Sequence, residues 1–165
     1  TLCFTQEQAA AVYAATAWAK KGQIFISPFV GRLDDRGENG MDLIENIMRM
    51  YREGDGHVEV LAASVRTINH FLRAIWLGSD IITAPFATLK EWAERGLHTP
   101  GKDFAYDART LRPIPYVPAL DLSKPWNEFD ISHELTDKSI TWIVEHSLSY
   151  EREALARGTT EHYFN

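Results

Sequence analysis

Four short apolar runs, each leading into a longer stretch with helical spacing, constrain this chain more than any other feature. Residues 1–4, 24–30, 57–66 and 81–85 are rich in β-branched, aromatic and small apolar side chains, the composition of short buried strands. Thr5 with Gln8 three residues on makes a capping box for a helix running to Lys21, where Gly22 stops it. A second helix from Met41 to Glu53 places Leu43, Ile44, Ile47, Met48 and Met50 on a broad apolar face. Residues 67–77 space Ile68, Phe71, Leu72 and Ile75 helically before Gly78, and Leu89 to Glu94 lies in a fourth helix. Strand-helix units at roughly 25-residue spacing predict a parallel sheet with right-handed crossovers, either an open doubly wound sheet or part of a (β/α)8 TIM-type barrel. Neither G-x-G-x-x-G nor G-x-x-x-x-G-K-[ST] follows any of the runs, which takes support from nucleotide-binding sheets and favours the barrel.

Two of the runs end alike. In Ile24-Phe25-Ile26-Ser27-Pro28-Phe29-Val30-Gly31-Arg32 the alternation puts Phe25, Ser27 and Phe29 on one face and Ile24, Ile26, Pro28 and Val30 on the other. One face packs on helices and the other lines an interior. The run beginning at His57 ends in Ser64 and Arg66. Two strands that each deliver a serine and an arginine to the carboxyl end, where a barrel carries its chemistry, converge on something anionic. A net charge of −6 over 165 residues argues against a general nucleic-acid or anionic-membrane surface, so a few placed cations must bind that anion. Asp34 and Asp35 follow Arg32 and read as a solvated loop that orients it. His57, His70, His98, His133, His146 and His162 have no metal-ligand spacing and read as structural or surface residues. The single Cys3 excludes an intramolecular disulfide framework, and a reducing, cytoplasmic setting is expected. The sequence has no long apolar run for a membrane span and no charged-then-apolar leader.

Ser27-Pro28-Phe29-Val30-Gly31-Arg32, followed after one helix by Ala62-Ala63-Ser64-Val65-Arg66-Thr67, closely resembles the transaldolases, which are class I (Schiff-base) (β/α)8 barrels. The resemblance spans residues 1–94 and returns in Leu135-Thr136-Asp137-Lys138, which is similar to the start of that family's terminal helix. It implies that Arg32 and Arg66 hold a sugar phosphate, with Ser64 beside the second; planar guanidinium forks suit phosphate oxygens. It also implies that the Ser27 hydroxyl lines the substrate channel, that Phe29 lies beside the reactive carbon, and that Thr1 positions a catalytic water. Thr1 would be the threonine of an Asn-x-Thr pattern whose asparagine falls two residues upstream. No metal and no organic cofactor are implied.

The Schiff-base lysine that the resemblance calls for, carried in a Lys-Ile/Val-Pro type of motif on an earlier strand, has no counterpart here. Lys20, Lys21, Lys90, Lys102, Lys124 and Lys138 all fall outside the expected strands and read as solvated surface residues. Four units occupy about the first 95 residues, where a whole barrel needs eight units and about 250 residues. The chain is therefore expected to be strands five to eight with a tail, whose open edges and unclosed interior call for a missing amino-terminal half-barrel or a homo-oligomer.

The implied reaction moves a dihydroxyacetone unit between sugar phosphates of the pentose phosphate pathway, from sedoheptulose 7-phosphate to glyceraldehyde 3-phosphate, giving erythrose 4-phosphate and fructose 6-phosphate. It runs through a lysine imine, so the isolated chain is expected to be inactive. Two alternatives stand beside it. The related fructose-6-phosphate aldolases cleave rather than transfer and usually carry tyrosine where this chain has Phe29, whose ring has no hydroxyl to place water or a proton. A non-catalytic phosphosugar-binding half-barrel is the reading from another class.

Residues 1–95 are thus expected to form the half-barrel and 96–135 an ordered extension rich in proline and aromatic residues, wrapped on its surface. A helix over 136–157 would dock through Ile140, Ile143, Val144 and Leu148, and 158–165 would fray.

Overall fold

A computed structural model describes residues 1–108 and 110–156 of the chain; the tail expected to fray, 158–165, lies outside the described residues. The chain divides into two units, Thr1–Ile131 and Ser132–Asn165. The first is an α/β unit around three parallel strands in sequence order: β1 (Ile24–Ile26), β2 (Val58–Ala62) and β3 (Ile81–Ile82). Their register sets Ile24 against Val58, Ile26 against Val60 and Ala62 against Ile82. Helices α1 (Gln6–Ala15), α2 (Val30–Asp34), α3 (Gly40–Tyr51), α4 (Ile68–Leu77) and α5 (Phe86–Glu94) connect and flank them.

The strand expected over 1–4 is a single parallel bridge between Cys3 and Pro28, with Cys3 N donating to Ser27 O at 3.3 Å and Phe29 N to Cys3 O at 3.1 Å. Leu2 sits at φ 58° and breaks the extended run, while Thr5 already caps α1. The strand expected over 24–30 also ends early. Pro28 has no N–H for the ladder, and the backbone turns helical at Val30, so Arg32 lies in α2 rather than at the carboxyl end of the strand itself.

Alternation along the strands has the expected consequence. Ile26, Pro28, Val30, Val58, Val60 and Ala62 are buried under the helices, while Phe25 is 42% exposed and Ser27, Phe29, Glu59 and Leu61 are half-buried on the other face. Among the described residues of the first unit, the helices cover one side of the sheet. Under them the core is made mainly by α3, whose Met41, Leu43, Ile44, Ile47 and Met50 are all buried. In α4 the buried stripe is His70, Phe71, Ala74 and Leu77, with Ile68, Leu72 and Ile75 only half-buried.

The capping box of α1 is formed: Gln8 N donates to Thr5 Oγ1 at 3.0 Å and Thr5 N to Gln8 Oε1 at 3.3 Å. The helix stops at Ala15, short of the expected Lys21. There the Thr16 hydroxyl donates back to Val12 O at 2.7 Å, and its N–H is shared between the Val12 and Tyr13 carbonyls, so the last turn tightens and closes.

Residues 96–108 and 110–131 run over α1, α3 and α4 as a strap whose backbone is gripped by helix side chains. Gln6 donates to Val117 O at 2.9 Å and accepts from Val117 N at 3.0 Å. Asn46 and Asp42 do the same to Ile114, each at 3.0 Å, and Gln8 donates to Ile131 O at 2.9 Å. Burying Gln6, Gln8 and Asn46 costs little because each finds peptide partners. Arg49 adds a cation over the Tyr116 ring at 4.0 Å. In the second unit α6 (Glu134–Ala156) leaves Ile140, Ile143, Val144 and Leu148 exposed.

At the amino end of β2, Tyr13, Asp55 and His57 close a polar cluster. The Tyr13 hydroxyl donates to Asp55 Oδ1 at 2.6 Å, and the same carboxylate meets His57 Nδ1 at 2.5 Å. Tyr13 and His57 rings pack at 4.3 Å, and a Cβ at Gly54 would collide with the Tyr13 hydroxyl, so the turn needs glycine there. The Tyr13 hydroxyl, and then His57, keep the Asp55 carboxyl well below the usual carboxylate range. A carboxylate so placed contributes stability above its unfolded value of about 4 and loses it as pH falls toward the folded value. Asp55→Asn is therefore expected to flatten the fall of unfolding free energy between about pH 4 and pH 2, measured by urea denaturation across that range.

Candidate functional site

The carboxyl end of the sheet is built by a close approach of α2 to the end of β2. Val30 N donates to Ala63 O at 3.0 Å and Gly31 N to Ser64 O at 3.1 Å, so the first amides of α2 are used up in fixing it to the strand end. Ser64 is in the left-handed region at φ 57°, which ends the strand. A Cβ on Gly31 would lie 2.5 Å from Arg66 Nε and closer still to Ser64 O. Only glycine lets the backbone of α2 come this close to the Arg66 side chain, and the next residue on α2 is Arg32.

The two arginine-bearing segments are thereby brought together, and Asp35 shows it. As the C-cap of α2, it chelates Arg66: Nη2 donates to Oδ2 at 2.6 Å while Nη1 donates to Oδ1. Arg66 hydrogen bonding keeps the Asp35 carboxyl below its ordinary value, and the charges of Arg66 and then Arg32 add to the effect. Asp35 in turn raises the Arg66 guanidinium. Arg32 is exposed and has no ion pair among the described residues. Asp34 turns the other way. Its Oδ2 meets the buried His70 Nε2 at 2.7 Å and its Oδ1 accepts from Gly40 N at 3.0 Å. The two aspartates therefore serve Arg66 and His70 rather than orienting Arg32 as expected. These pairings join residues more than thirty positions apart, so no local spacing signals them.

Of the residues singled out from the sequence, Ser64 is half-buried on the Arg66 segment and meets the Arg32 segment through its carbonyl, which accepts from Gly31 N. Ser27 and Phe29 share the uncovered face of the sheet at the same end; Phe29 bridges Ala63 and packs edge-on against Phe4 at 6.0 Å. Thr1 is exposed and has no side-chain contact with the others among the described residues. All six lysines are exposed, so none has the dry pocket that keeps an amine neutral for attack on a carbonyl. Burial pushes the Cys3 thiol up to about 12, which leaves it a core residue rather than a nucleophile. Among the described residues no group of three His, Cys, Asp or Glu could hold a metal ion, and no helix is long and apolar enough to cross a membrane. The Arg66 fork and the charge of Arg32 are thus directed at one carboxylate, the geometry in which guanidinium groups meet an oxyanion.

The sequence model of the family described as Transaldolase/Fructose-6-phosphate aldolase matches residues 1–140. Among curated proteins, the chain is 50% identical over 101 residues to a probable transaldolase of Brucella ovis, covering 61% of this chain and 44% of that protein. It is 52% identical over 90 residues to a probable transaldolase of Mesorhizobium japonicum, covering 54% and 38%. A probable transaldolase of Ruegeria sp. is 47% identical over 103 residues, covering 62% and 45%. The chain spans less than half the length of each of these relatives.

Gly31→Ala is expected to force α2 away from the end of β2 and lower stability by about 1–3 kcal/mol, the range for overpacking a closed contact. Chemical denaturation measures the loss, and a changed Arg66 Nε–H resonance would report the displaced guanidinium.

Proposed function

The chain belongs to the transaldolase/fructose-6-phosphate aldolase family, and from that premise we propose that it forms strands five to eight of a (β/α)8 barrel and supplies the phosphate clamp of a transaldolase. Arg66 takes two phosphate oxygens of the ketose phosphate in its fork, Arg32 reaches a third, and the Ser64 hydroxyl completes the set. Ser27 and Phe29 line the sugar's path on the uncovered face of the sheet, and Thr1 places a water. The observation that carries this reading is Arg66 gripping the Asp35 carboxylate with both terminal nitrogens while the second cation, Arg32, acts on the same carboxylate through its charge.

The chemistry needs a lysine amine from a barrel strand outside these residues. That amine adds to the ketone and loses water to form an imine. Cleavage of the carbon–carbon bond next to the carbinol releases an aldose phosphate and leaves an enamine of the three-carbon unit, which then adds to the aldehyde of the acceptor. Hydrolysis returns the lysine. Phe29 has no hydroxyl to place the water that would release the three-carbon unit, which favours transfer over cleavage. The partner is the complementary half-barrel, or a second copy of the chain, that closes the sheet through its open edge strands and leaves the uncovered face as the interior, and the setting is cytoplasmic. Exposure of all six lysines favours a second reading for the 165 residues alone, that of a phosphosugar-binding half without catalysis.

In the full-length protein Arg66→Ala is expected to raise KM for the ketose phosphate by about ten- to a hundredfold, as loss of charged hydrogen bonds does, with a smaller change in kcat. An unchanged KM would remove the clamp. Borohydride reduction in the presence of fructose 6-phosphate is expected to add no mass to the isolated chain, and a trapped adduct on any of its lysines would overturn the assignment of the nucleophile elsewhere.

A further inference from the structure

The Arg66 fork is already occupied. Both oxygens of Asp35 face it in the bidentate geometry that a phosphate would use, and the pair is open to water, with the two side chains 45% and 52% exposed. Exposed ion pairs of this kind contribute little net stability and exchange readily. The backbone beneath is firm: the neighbouring Asp34 is tied to His70 and Gly40, and Asp35 N donates to Gly31 O at 3.2 Å. The carboxylate can swing out to solvent without moving α2. Arg32, three residues before Asp35 and so its neighbour on the helix surface, acts on that carboxylate through its charge and forms no ion pair of its own among the described residues.

We propose that Asp35 is a resident occupant of the Arg66 fork, which the substrate's phosphate displaces on binding, and that it sets the discrimination of the site between phosphates and carboxylates. The proposal rests on the reading of Arg32 and Arg66 as a phosphate clamp and adds a specificity residue to it. A carboxylate ligand entering the fork replaces a carboxylate already there and gains nothing from Arg66. A phosphate dianion takes the same two contacts and has a third oxygen and a second charge left for Arg32. Asp35 thus handicaps both ligand classes at Arg66, and only phosphate recovers the difference.

Binding of inorganic phosphate and of acetate to the full-length protein, followed by calorimetry, tests this. Asp35→Asn is expected to tighten phosphate by about tenfold and acetate by at least as much, as removal of a competing ion pair would, so the preference for phosphate narrows. Unchanged or weaker phosphate binding would show that Asp35 presents Arg66 rather than competing for it, and would overturn the proposal. A second measurement needs no variant: the Asp35 carboxyl carbon, followed by NMR, is expected to titrate at higher pH with phosphate bound than without. An unmoved midpoint would place Asp35 still in the fork and would also overturn the proposal. Arg66→Ala separates the two layers. If it binds phosphate as the parent does, the clamp itself fails; if it binds weakly while Asp35→Asn changes nothing, only the displacement fails.

Discussion

The approach of Gly31 to the Ser64 carbonyl and the Arg66 stem is the contact on which the carboxyl end of the sheet depends. Two backbone hydrogen bonds from the start of α2 to the end of β2 leave no space for a side chain, and they convert a strand exit into a helix within one residue. Everything with chemical potential at that end follows from this. Arg32 rides on α2, Asp35 caps it, and Arg66 lies against it. Without the close approach the two cations would sit on independent loops, and desolvating or pairing one would not affect the other.

Polar residues inside the helix layer have a common logic. Gln6, Asn46 and Asp42 each meet peptide groups of the strap, and His70 meets Asp34. Buried polar groups are tolerated where their hydrogen-bonding capacity is met, and here each partner comes from a segment other than the helix that carries the polar residue. This also explains the stripe on α4, where a histidine occupies a buried position and three aliphatic residues do not. A pattern-based reading ranks residues by hydrophobicity, and a satisfied histidine defeats the ranking.

The strand-helix alternation, the capping box at Thr5 and Gln8 and the Gly78 helix stop were legible because each depends on residues close in sequence. The two-faced character of the strand at Phe25, Ser27 and Phe29 was legible for the same reason, through the period of two. The bridge at Cys3 was overread as a strand, since apolar composition cannot reveal that Leu2 takes a left-handed conformation. The helix at Val30 was missed because Pro28 and Gly31 are turn residues by composition, and Gly31 here answers a contact with a segment more than thirty residues away. Asp35 and His70 were beyond sequence reasoning on similar grounds: their partners are distant in sequence, and a pair of aspartates after an arginine looks like local solvation.

The strap has a consequence for the order in which the molecule assembles. The Gln6 to Val117 pairing joins residues 111 apart in sequence, so forming it closes a long loop whose entropic cost grows with loop length, and contacts of this range slow folding. The sheet and the helices between its strands can form from shorter-range contacts before the strap is in place. Its hydrogen bonds are made to side chains, one residue at a time, rather than along a continuous ladder. The strap is therefore expected to be the last segment of the first unit to dock and the first to let go, a sub-global opening that amide exchange would resolve as less protected than α3.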